Sequence, residues 1–291
     1  ALKANTTASN NTGIGYRALL SNTTASNNTA LGYEALKDNT TGAQNVAIGM
    51  YGLANNTTAS ENFAGGYNAL GANTTGASNI GIGHRTLQSN TTASNNTAVG
   101  FEALKSNTTA GSSVAIGTSA GYSQTTNGQN VFVGQSAGYY TDGYKNCYVG
   151  FNAGDAMTTG DNNTIIGSFS GNESGLDIRT SNNNIVLSDG DGNMRVRIDS
   201  SGNMGLGAVA SGGAKLHTEN SANDQVAFFH NTNSGFSSTN VQISTSRNTT
   251  GGAYNHLACS IHGVATKFIV YDGGQVVNSN NSYGQISDQR L

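Results

Sequence analysis

Apolar and polar positions alternate with a fixed period along the first 170 residues. An aliphatic residue followed by glycine returns every 17 residues, with a single step of 16 between Gly134 and Gly150. A fixed period of this length is typical of stacked repeat proteins, and it outweighs any local pattern. The recurring glycines are Gly15, Gly32, Gly49, Gly66, Gly83, Gly100, Gly117, Gly134, Gly150 and Gly167.

The other positions of the repeat are counted from this glycine. The residue directly before it is aliphatic except at Gly65, and the third residue after it is always small. The fourth residue after it is Leu in the first six copies and Gly in the last four, which indicates two classes of repeat. The fourth residue before it is Asn except at Ser113; these residues are Asn11, Asn28, Asn45, Asn62, Asn79, Asn96, Asn130, Asn146 and Asn163.

This pattern predicts an all-β fold built as a β-roll or β-solenoid. Segments such as Asn45–Gly49 are short, apolar and bounded by turn residues, as strands are. We expect about two short strands and two turns per coil, with coils stacked at roughly 4.8 Å. The aliphatic row is expected to form a dry core, and the Asn row to bond to its own copies. The recurring glycine indicates a positive φ or a close backbone approach.

The pattern divides the chain into three segments. Residues 1–170 form the repeat array, and residues 171–207 form a connector with strands predicted within Asn184–Asn193, Met194–Asp199 and Met204–Gly207. Residues 208–291 read as a compact C-terminal β domain. Its candidate strands are Gln225–His230, Asn240–Ser244, His256–Ile261 and Lys267–Tyr271.

Composition and charge exclude several classes of function. Charged residues make up 10% of the chain, against about 25% in ordinary globular proteins. The net charge is −3 without any basic run, which argues against nucleic-acid binding. No apolar stretch is long enough for a membrane span.

No cofactor or metal site is predicted. Cys147 and Cys259 form no metal-ligand or redox pattern, and we expect both to be small buried residues. Asp189, Asp191 and Asn193 resemble the start of a calcium loop, but Ser200 stands where the final Glu is required. Histidines of the C-terminal domain have no metal-binding spacing; they are His217, His230, His256 and His262.

Two recurring features admit both a functional and a structural reading. Asn-Thr-Thr, as at Asn22 and Asn39, matches an N-glycosylation acceptor, but a turn of each coil is the favoured interpretation. Aromatic residues after the glycine suit either sugar binding or, as we favour, packing between chains. They include Tyr16, Tyr33, Tyr67, Phe101 and Phe151.

The acidic residues of the array do not predict an enzyme. Glycan hydrolysis needs a pair of carboxylates, whereas these are scattered, and Glu34 and Glu102 recur at equivalent positions, which suggests a solvated face. The residues concerned are Glu34, Asp38, Glu61, Glu102, Asp142, Asp155 and Asp161.

The repeat resembles a known family motif. Asn45–Gly49 and Ser113–Ala120 follow the pattern Asn-x-Ala-Ile-Gly-x-x-Ala, which is similar to the head repeat of trimeric autotransporter adhesins. The resemblance covers residues 5 to about 170, although the period here is longer. It implies a trimer of left-handed parallel β-rolls. Similar repeats occur in phage tail fibres, and residues 171–207 resemble the triple-stranded β-prism of such fibres.

The end of the sequence carries a second resemblance. Asn280–Leu291 is similar to the start of the endosialidase-type intramolecular chaperone domain, which trimerises phage fibres and then cleaves itself off. The resemblance implies a cut between Ser287 and Asp288. Because Ala1–Thr7 matches Ala35–Thr41 within a repeat, we expect the chain to be a fragment of a longer protein.

Together these patterns predict a homotrimeric elongated fibre that is not an enzyme. The favoured function is host-surface attachment by a phage tail fibre or spike, located on the virion or outside the cell. Its partners are expected to be two further copies of itself, upstream tail or baseplate proteins, and a cell-surface glycan or protein receptor bound by residues 208–291. The alternative is a trimeric autotransporter-type adhesin on a bacterial outer surface.

Overall fold

The structure, a computed structural model, describes residues 1–207 in full. Beyond them it describes the backbone of four strands, Leu216–Thr218, Asn255–Cys259, Phe268–Tyr271 and Val276–Asn278. The chain divides into two compact units, Ala1–Val226 and Ala227–Leu291. Every regular element in the described residues is a strand. The predicted all-β class is therefore confirmed.

Each repeat contributes one strand of three residues. These strands are β1 (Thr12–Ile14), β2 (Thr29–Leu31), β3 (Val46–Ile48), β4 (Phe63–Gly65), β5 (Ile80–Ile82), β6 (Thr97–Val99), β7 (Val114–Ile116), β8 (Val131–Val133), β9 (Cys147–Val149) and β10 (Thr164–Ile166).

Successive strands pair in parallel, each in register with its copy in the next repeat. Ile14 faces Leu31, and the backbone N–H of Gly32 donates to the Ile14 carbonyl at 2.9 Å. The same register runs through to Ile166 of β10, inside a 14-stranded sheet. The prediction of a β-solenoid of about ten turns with a 17-residue period is confirmed.

The expectation of two strands per coil was wrong. The rest of each coil is a series of turns, because several residues per coil adopt left-handed backbone conformations. In the first complete coil these are Arg17, Leu19 and Asn27, with φ of 57°, 52° and 63°. Each left-handed residue reverses the local direction of the chain, so three of them close the coil without a second strand.

The recurring glycine lies directly after the strand, where neighbouring coils touch through their backbones. Its φ ranges from 111° at Gly167 to 144° at Gly32. A Cβ added to Gly66 would lie 2.4 Å from the carbonyl oxygen of Gly83. Both the φ angle and the contact exclude a side chain at this position.

The Asn row before each strand forms a continuous ladder of hydrogen bonds. The side-chain oxygen of Asn45 accepts from the backbone N–H of Asn62 at 3.0 Å, and the Asn45 amide donates to the Ala59 carbonyl at 2.8 Å. Ser113 keeps the chain of bonds intact by donating its backbone N–H to Asn96 at 2.9 Å. From Asn28 onward the Asn members of this row are buried.

The aliphatic row does not form the core, contrary to the prediction. Neighbouring strand residues point to opposite faces; in β3, Ala47 points inward while Val46 and Ile48 point outward. The interior is filled by the middle strand residue, the small residue after the glycine and the leucine next to it. Its first members are Ala18, Leu19, Ala30, Ala35, Leu36, Ala47, Leu53, Ala64, Ala69 and Leu70.

The two classes of repeat differ in which position supplies the bulky core side chain. In the early coils a small strand residue faces a leucine from the turn; Leu70, for example, lies 3.4 Å from where a Cβ on Gly81 would be. Later, Phe132 and Tyr148 occupy the strand position and glycine replaces the leucine. Ring atoms of Phe132 lie 2.6 Å and 2.4 Å from where Cβ atoms on Gly121 and Gly138 would be. The core volume is therefore kept by a compensating exchange.

The connector continues the sheet with a change of direction. A short hairpin, β11 (Asn172–Glu173) and β12 (Leu176–Asp177), precedes β13 (Ile185–Ser188), which pairs in parallel with β10. β14 (Met194–Ile198) and β15 (Met204–Leu206) follow as an antiparallel meander, and β16 (Leu216–Thr218) pairs in parallel with β15. The three strands predicted in this segment are present.

The second unit contains a three-stranded antiparallel sheet. It consists of β17 (Asn255–Cys259), β18 (Phe268–Tyr271) and β19 (Val276–Asn278), in that order. β17 and β18 correspond to the strands predicted at His256–Ile261 and Lys267–Tyr271. The candidate strands Gln225–His230 and Asn240–Ser244 lie outside the described residues.

Candidate functional site

The outward face of the parallel sheet carries a regular row of exposed apolar side chains. Each strand turns its first and third residues outward, and the third is aliphatic in every strand but β4. The well-exposed aliphatic residues at this third position run from the first coil to β13. They are Ile14, Leu31, Ile48, Ile82, Ile116, Ile166 and Leu187.

The exposure of this row is high for aliphatic side chains. It runs from 38% at Leu187 to 59% at Ile14 in the isolated chain. Parallel sheets are normally covered on both faces, and large contiguous apolar patches usually mark interfaces. The interior covers one face here, and nothing in the described chain covers the other. The arrangement therefore provides a surface for a partner whose contacts repeat along the sheet.

The row is interrupted at one rung. Gly65 replaces the aliphatic residue in β4, and the ring of Phe63 from the same strand approaches to 3.2 Å from where a Cβ on Gly65 would be. The aromatic ring thus fills the space that the missing side chain leaves. This is the one strand from β1 to β10 whose third residue is not aliphatic.

An aromatic ladder runs beside the sheet face, at and just after the position that follows the glycine. Tyr16 stacks on Tyr33 with centroids 5.1 Å apart, and His84 stacks on Phe101 at 5.3 Å. The same ladder includes Tyr51 and Tyr67. Because the rings of neighbouring coils pack against one another, few ring faces remain free to stack against a sugar. This geometry favours a structural role for the ladder.

Glu34 and Glu102 do not lie on a solvated face, so that interpretation was wrong. Glu34 is buried and contacts Arg17 at 3.2 Å and Lys37 at 3.6 Å. Glu102 repeats the arrangement with Arg85 at 3.6 Å and Lys105 at 2.8 Å. The hydrogen bond from Lys105 lowers the pKa of Glu102 below its usual range. Each carboxylate lies between two cations, an arrangement that is unsuited to general acid catalysis.

The Asn-Thr-Thr turn holds a second, fully buried Asn ladder that sequence reasoning missed. The side-chain amide of Asn39 donates to the side-chain oxygen of Asn22 at 2.9 Å and to the Gly42 carbonyl at 2.8 Å. The same nitrogen would carry a glycan. Glycosylation at these buried positions is incompatible with the folded coil. The sequence signal for the ladder was the exact repetition of this Asn three residues after the core leucine. The buried members are Asn22, Asn39, Asn56, Asn73, Asn90 and Asn107.

The described residues hold no cluster of three His, Cys, Asp or Glu side chains that suits a metal ion. The side-chain oxygen Oδ1 of Asp189 accepts hydrogen bonds from the backbone of Asp191 at 3.1 Å and Asn193 at 2.9 Å. The Asp189–Asn193 segment is therefore a hairpin turn closed by its own aspartate. Cys147 is a free, half-buried thiol at an outward strand position, not a core residue.

The structure places the predicted Asn row directly before the strands, where it is buried from Asn28 onward, and the glycine row directly after them, where it is half-buried from Gly32 onward. The two rows lie at opposite ends of each strand and do not converge on one site. The implied cleavage junction, Ser287 and Asp288, lies outside the described residues, as do His230 and His262. For His217 and His256 the structure gives only the strands β16 and β17 to which they belong.

No family model, no curated protein and no solved structure matches the chain. In the described part of the chain, no helix is long and apolar enough to cross a membrane.

Proposed function

We propose that this chain is part of a homotrimeric fibre that attaches to a host surface, as a phage tail fibre or spike does. The observation that carries the proposal is the exposed aliphatic row of the parallel sheet, from Ile14 to Leu187. The β-prism character of residues 171–207 and the receptor-binding role of the C-terminal domain belong to the same proposal.

The periodicity of the face argues for a copy of the same chain as its partner. The rungs repeat at the strand spacing of roughly 4.8 Å, which gives an apolar row on the order of 48 Å long over ten coils. A partner must place an apolar group at every rung to cover it. A second copy of the chain, parallel and in register, has the same spacing because its strands repeat with the same period. The resemblance to trimeric adhesin heads supports three copies, closed around one axis.

A trimer suits attachment because three equivalent receptor sites act together. Even weak single contacts gain by factors of about 10²–10⁴ when they are linked. The stacked coils serve as a stiff spacer, held by the backbone ladder and by the buried Asn rows. The cation-held Glu34 and Glu102 support a structural rather than an enzymatic role for the array.

The attachment function is tested by measuring the binding of the labelled chain to intact cells of a panel of bacterial strains. We expect saturable binding to some strains only. The double variant Ile48→Asp with Ile116→Asp puts charge on the proposed trimer face, and its apparent affinity should fall about 10²-fold or more. The matched control, Thr41→Asp with Thr109→Asp, adds the same charge at exposed turns and should bind normally. Binding to no strain, or equal binding by the face variant, contradicts the proposal.

A further inference from the structure

A polar groove lies on the side of the solenoid where the repeat becomes irregular. Its volume is about 420 Å³, within the range of about 300–1,000 Å³ that is usual for ligand sites. It lies next to the coil that is one residue short, between Gly134 and Gly150. None of its lining residues belongs to a strand, so a trimer closed through the sheet face leaves it accessible.

Two successive glycines form the floor of the groove. Gly111 and Gly128 occupy a position that carries a side chain in every earlier coil. The earlier residues at this position are Ser9, Ser26, Ala43, Ser60, Ala77 and Ser94. A Cβ on Gly128 would lie 2.1 Å from the Gly111 carbonyl oxygen. The floor is therefore bare backbone, which only glycine allows.

The glycine pair also leaves a backbone donor in the floor without a side-chain acceptor. In the earlier coils that are followed by Ser at this position, the amide donates to that serine hydroxyl, as from Ala43 to Ser60 at 3.0 Å and from Ala77 to Ser94 at 3.0 Å. Where Ala follows instead, after Ser26 and Ser60, no such bond is possible. Gly128 has no hydroxyl to accept the corresponding bond. The Gly111 amide thus has no hydrogen-bond acceptor among the described residues. A half-buried donor of this kind is available to a ligand.

The walls supply hydroxyl and amide groups together with one aromatic ring. Ser112, Thr126, Asn127 and Gln129 contribute polar side chains. Tyr144 contributes a ring that is 39% exposed. This ring stands apart from the stacked aromatic ladder. Among the described residues its ring contact is the ammonium group of Lys145, 5.2 Å from the ring centroid.

We propose that this groove binds a saccharide unit of a polysaccharide chain. Sugar hydroxyls both donate and accept hydrogen bonds, which suits mixed hydroxyl, amide and backbone groups. The apolar C–H face of a sugar suits an exposed Tyr ring with a polar tip. A second groove of equal volume, at Thr158, Asp177 and Arg179, lacks an aromatic residue, and its charges pair with each other at 2.7 Å. The saccharide site extends the proposed attachment function and rests on it for its biological role.

Ligand-observed NMR with the full chain tests the site directly. The probes are D-glucose, D-galactose, N-acetyl-D-glucosamine and N-acetylneuraminic acid, each at roughly 10 mM, which detects millimolar affinity. We expect saturation transfer to at least one probe, and at least a tenfold weaker affinity in Tyr144→Ala. Tyr140→Ala is the matched control, because Tyr140 is more exposed, at 61%, but does not line the groove.

Two results would overturn the saccharide site. One is no transfer to any of the four probes in the unmodified chain. The other is equal binding by the Tyr144→Ala variant. The native mass distinguishes failure of this proposal from failure of the fibre proposal. A trimer that binds no saccharide would contradict the saccharide site but not the fibre. A monomer that binds a saccharide would contradict the fibre but not the saccharide site.

Discussion

The side-chain amide of Asn73 donates a hydrogen bond to the side-chain oxygen of Asn56 at 2.9 Å, and both residues are completely buried. The Asn73 amide also donates to the Gly76 carbonyl at 2.9 Å. The carbonyl receives a second bond from Asn62 of the other ladder, at 2.9 Å. In the coils that carry both Asn rows, one backbone oxygen thus connects the two rows and ties the turn to the strand.

The first prediction concerns the donors of this buried ladder. Asn73→Asp keeps the shape but replaces the amide by a carboxylate that faces two acceptor oxygens. We expect the free energy of unfolding to fall by about 3 kcal/mol or more, the cost of a buried unpaired charge. Denaturant unfolding at pH 7 measures the change. Asn55→Asp, at the neighbouring exposed position, should be nearly neutral; an equal effect of the two variants would contradict the role of the ladder.

A second prediction separates the two constraints on the recurring glycine. Gly66→Ala meets both a φ of +134° and the Gly83 oxygen at 2.4 Å, so we expect a loss of roughly 3 kcal/mol or more in unfolding free energy. Gly175→Ala has a φ of +77° in open space and should lose about 1–2 kcal/mol. Gly190→Ala, which is unconstrained, should be neutral. If Gly66→Ala costs no more than Gly175→Ala, the backbone contact between coils is not the reason for glycine.

The third prediction tests the exchange of core volume between the two classes of coil. Phe132→Ala should lose about 3–5 kcal/mol by leaving a cavity, and Gly121→Leu should clash with the Phe132 ring. The double variant recreates the early type of coil, and the φ of +62° at Gly121 is close to the 50° of Leu104. We expect a favourable coupling energy of about 2–3 kcal/mol in a double-mutant cycle.

The control for this cycle combines Gly121→Leu with Phe169→Ala, another buried aromatic residue that does not contact Gly121. Its effects should add to within about 0.5 kcal/mol. Strict additivity in the Gly121 and Phe132 pair would show that the two positions do not compensate each other.

A fourth prediction concerns pH and Asp155. Burial raises the pKa of this carboxyl group, and the negative charge of Glu173 adds to the shift. The raised pKa means that the folded state is favoured while Asp155 is protonated and loses that stabilisation as the pH rises. Asp155→Asn should therefore be more stable than the unmodified chain at pH 7, by at most about 1 kcal/mol after solvent screening.

This advantage should shrink as the pH falls through the raised pKa, and it should vanish below about 3.9, the ordinary aspartate pKa. Denaturant midpoints at pH 7 and pH 3.5 provide the comparison. The exposed Asp191→Asn variant is the control. An advantage of Asp155→Asn that persists unchanged at pH 3.5 would rule out titration of this carboxyl as the cause.

The sequence was sufficient to predict the coil, since period and strand position follow from one recurring pattern. Aliphatic, glycine and Asn positions repeat in register, and stacked strands are the simplest way to satisfy all three. The strands of the connector were also readable, because Met194–Ile198 alternates apolar and charged side chains.

The direction of the strand side chains could not be assigned from the aliphatic row alone. Ile48 looks like a core residue, yet the smaller Ala47 points inward, because Leu36 and Leu53 from the turns already fill the interior. A leucine with a φ near 50° is unusual, and sequence rules give no reason to place one there. The saccharide groove was missed because it depends on two glycines that replace side chains at equivalent positions in neighbouring coils.

The native mass of the particle in solution tests the central claim most directly. The account predicts three times the 29.7 kDa of one chain, by native mass spectrometry or light scattering. The variant Ile48→Asp with Ile116→Asp should shift the mass towards that of one chain, while Thr41→Asp with Thr109→Asp should leave it unchanged. An unmodified chain with the mass of a single copy would contradict the proposal that the exposed sheet face is covered by copies of itself.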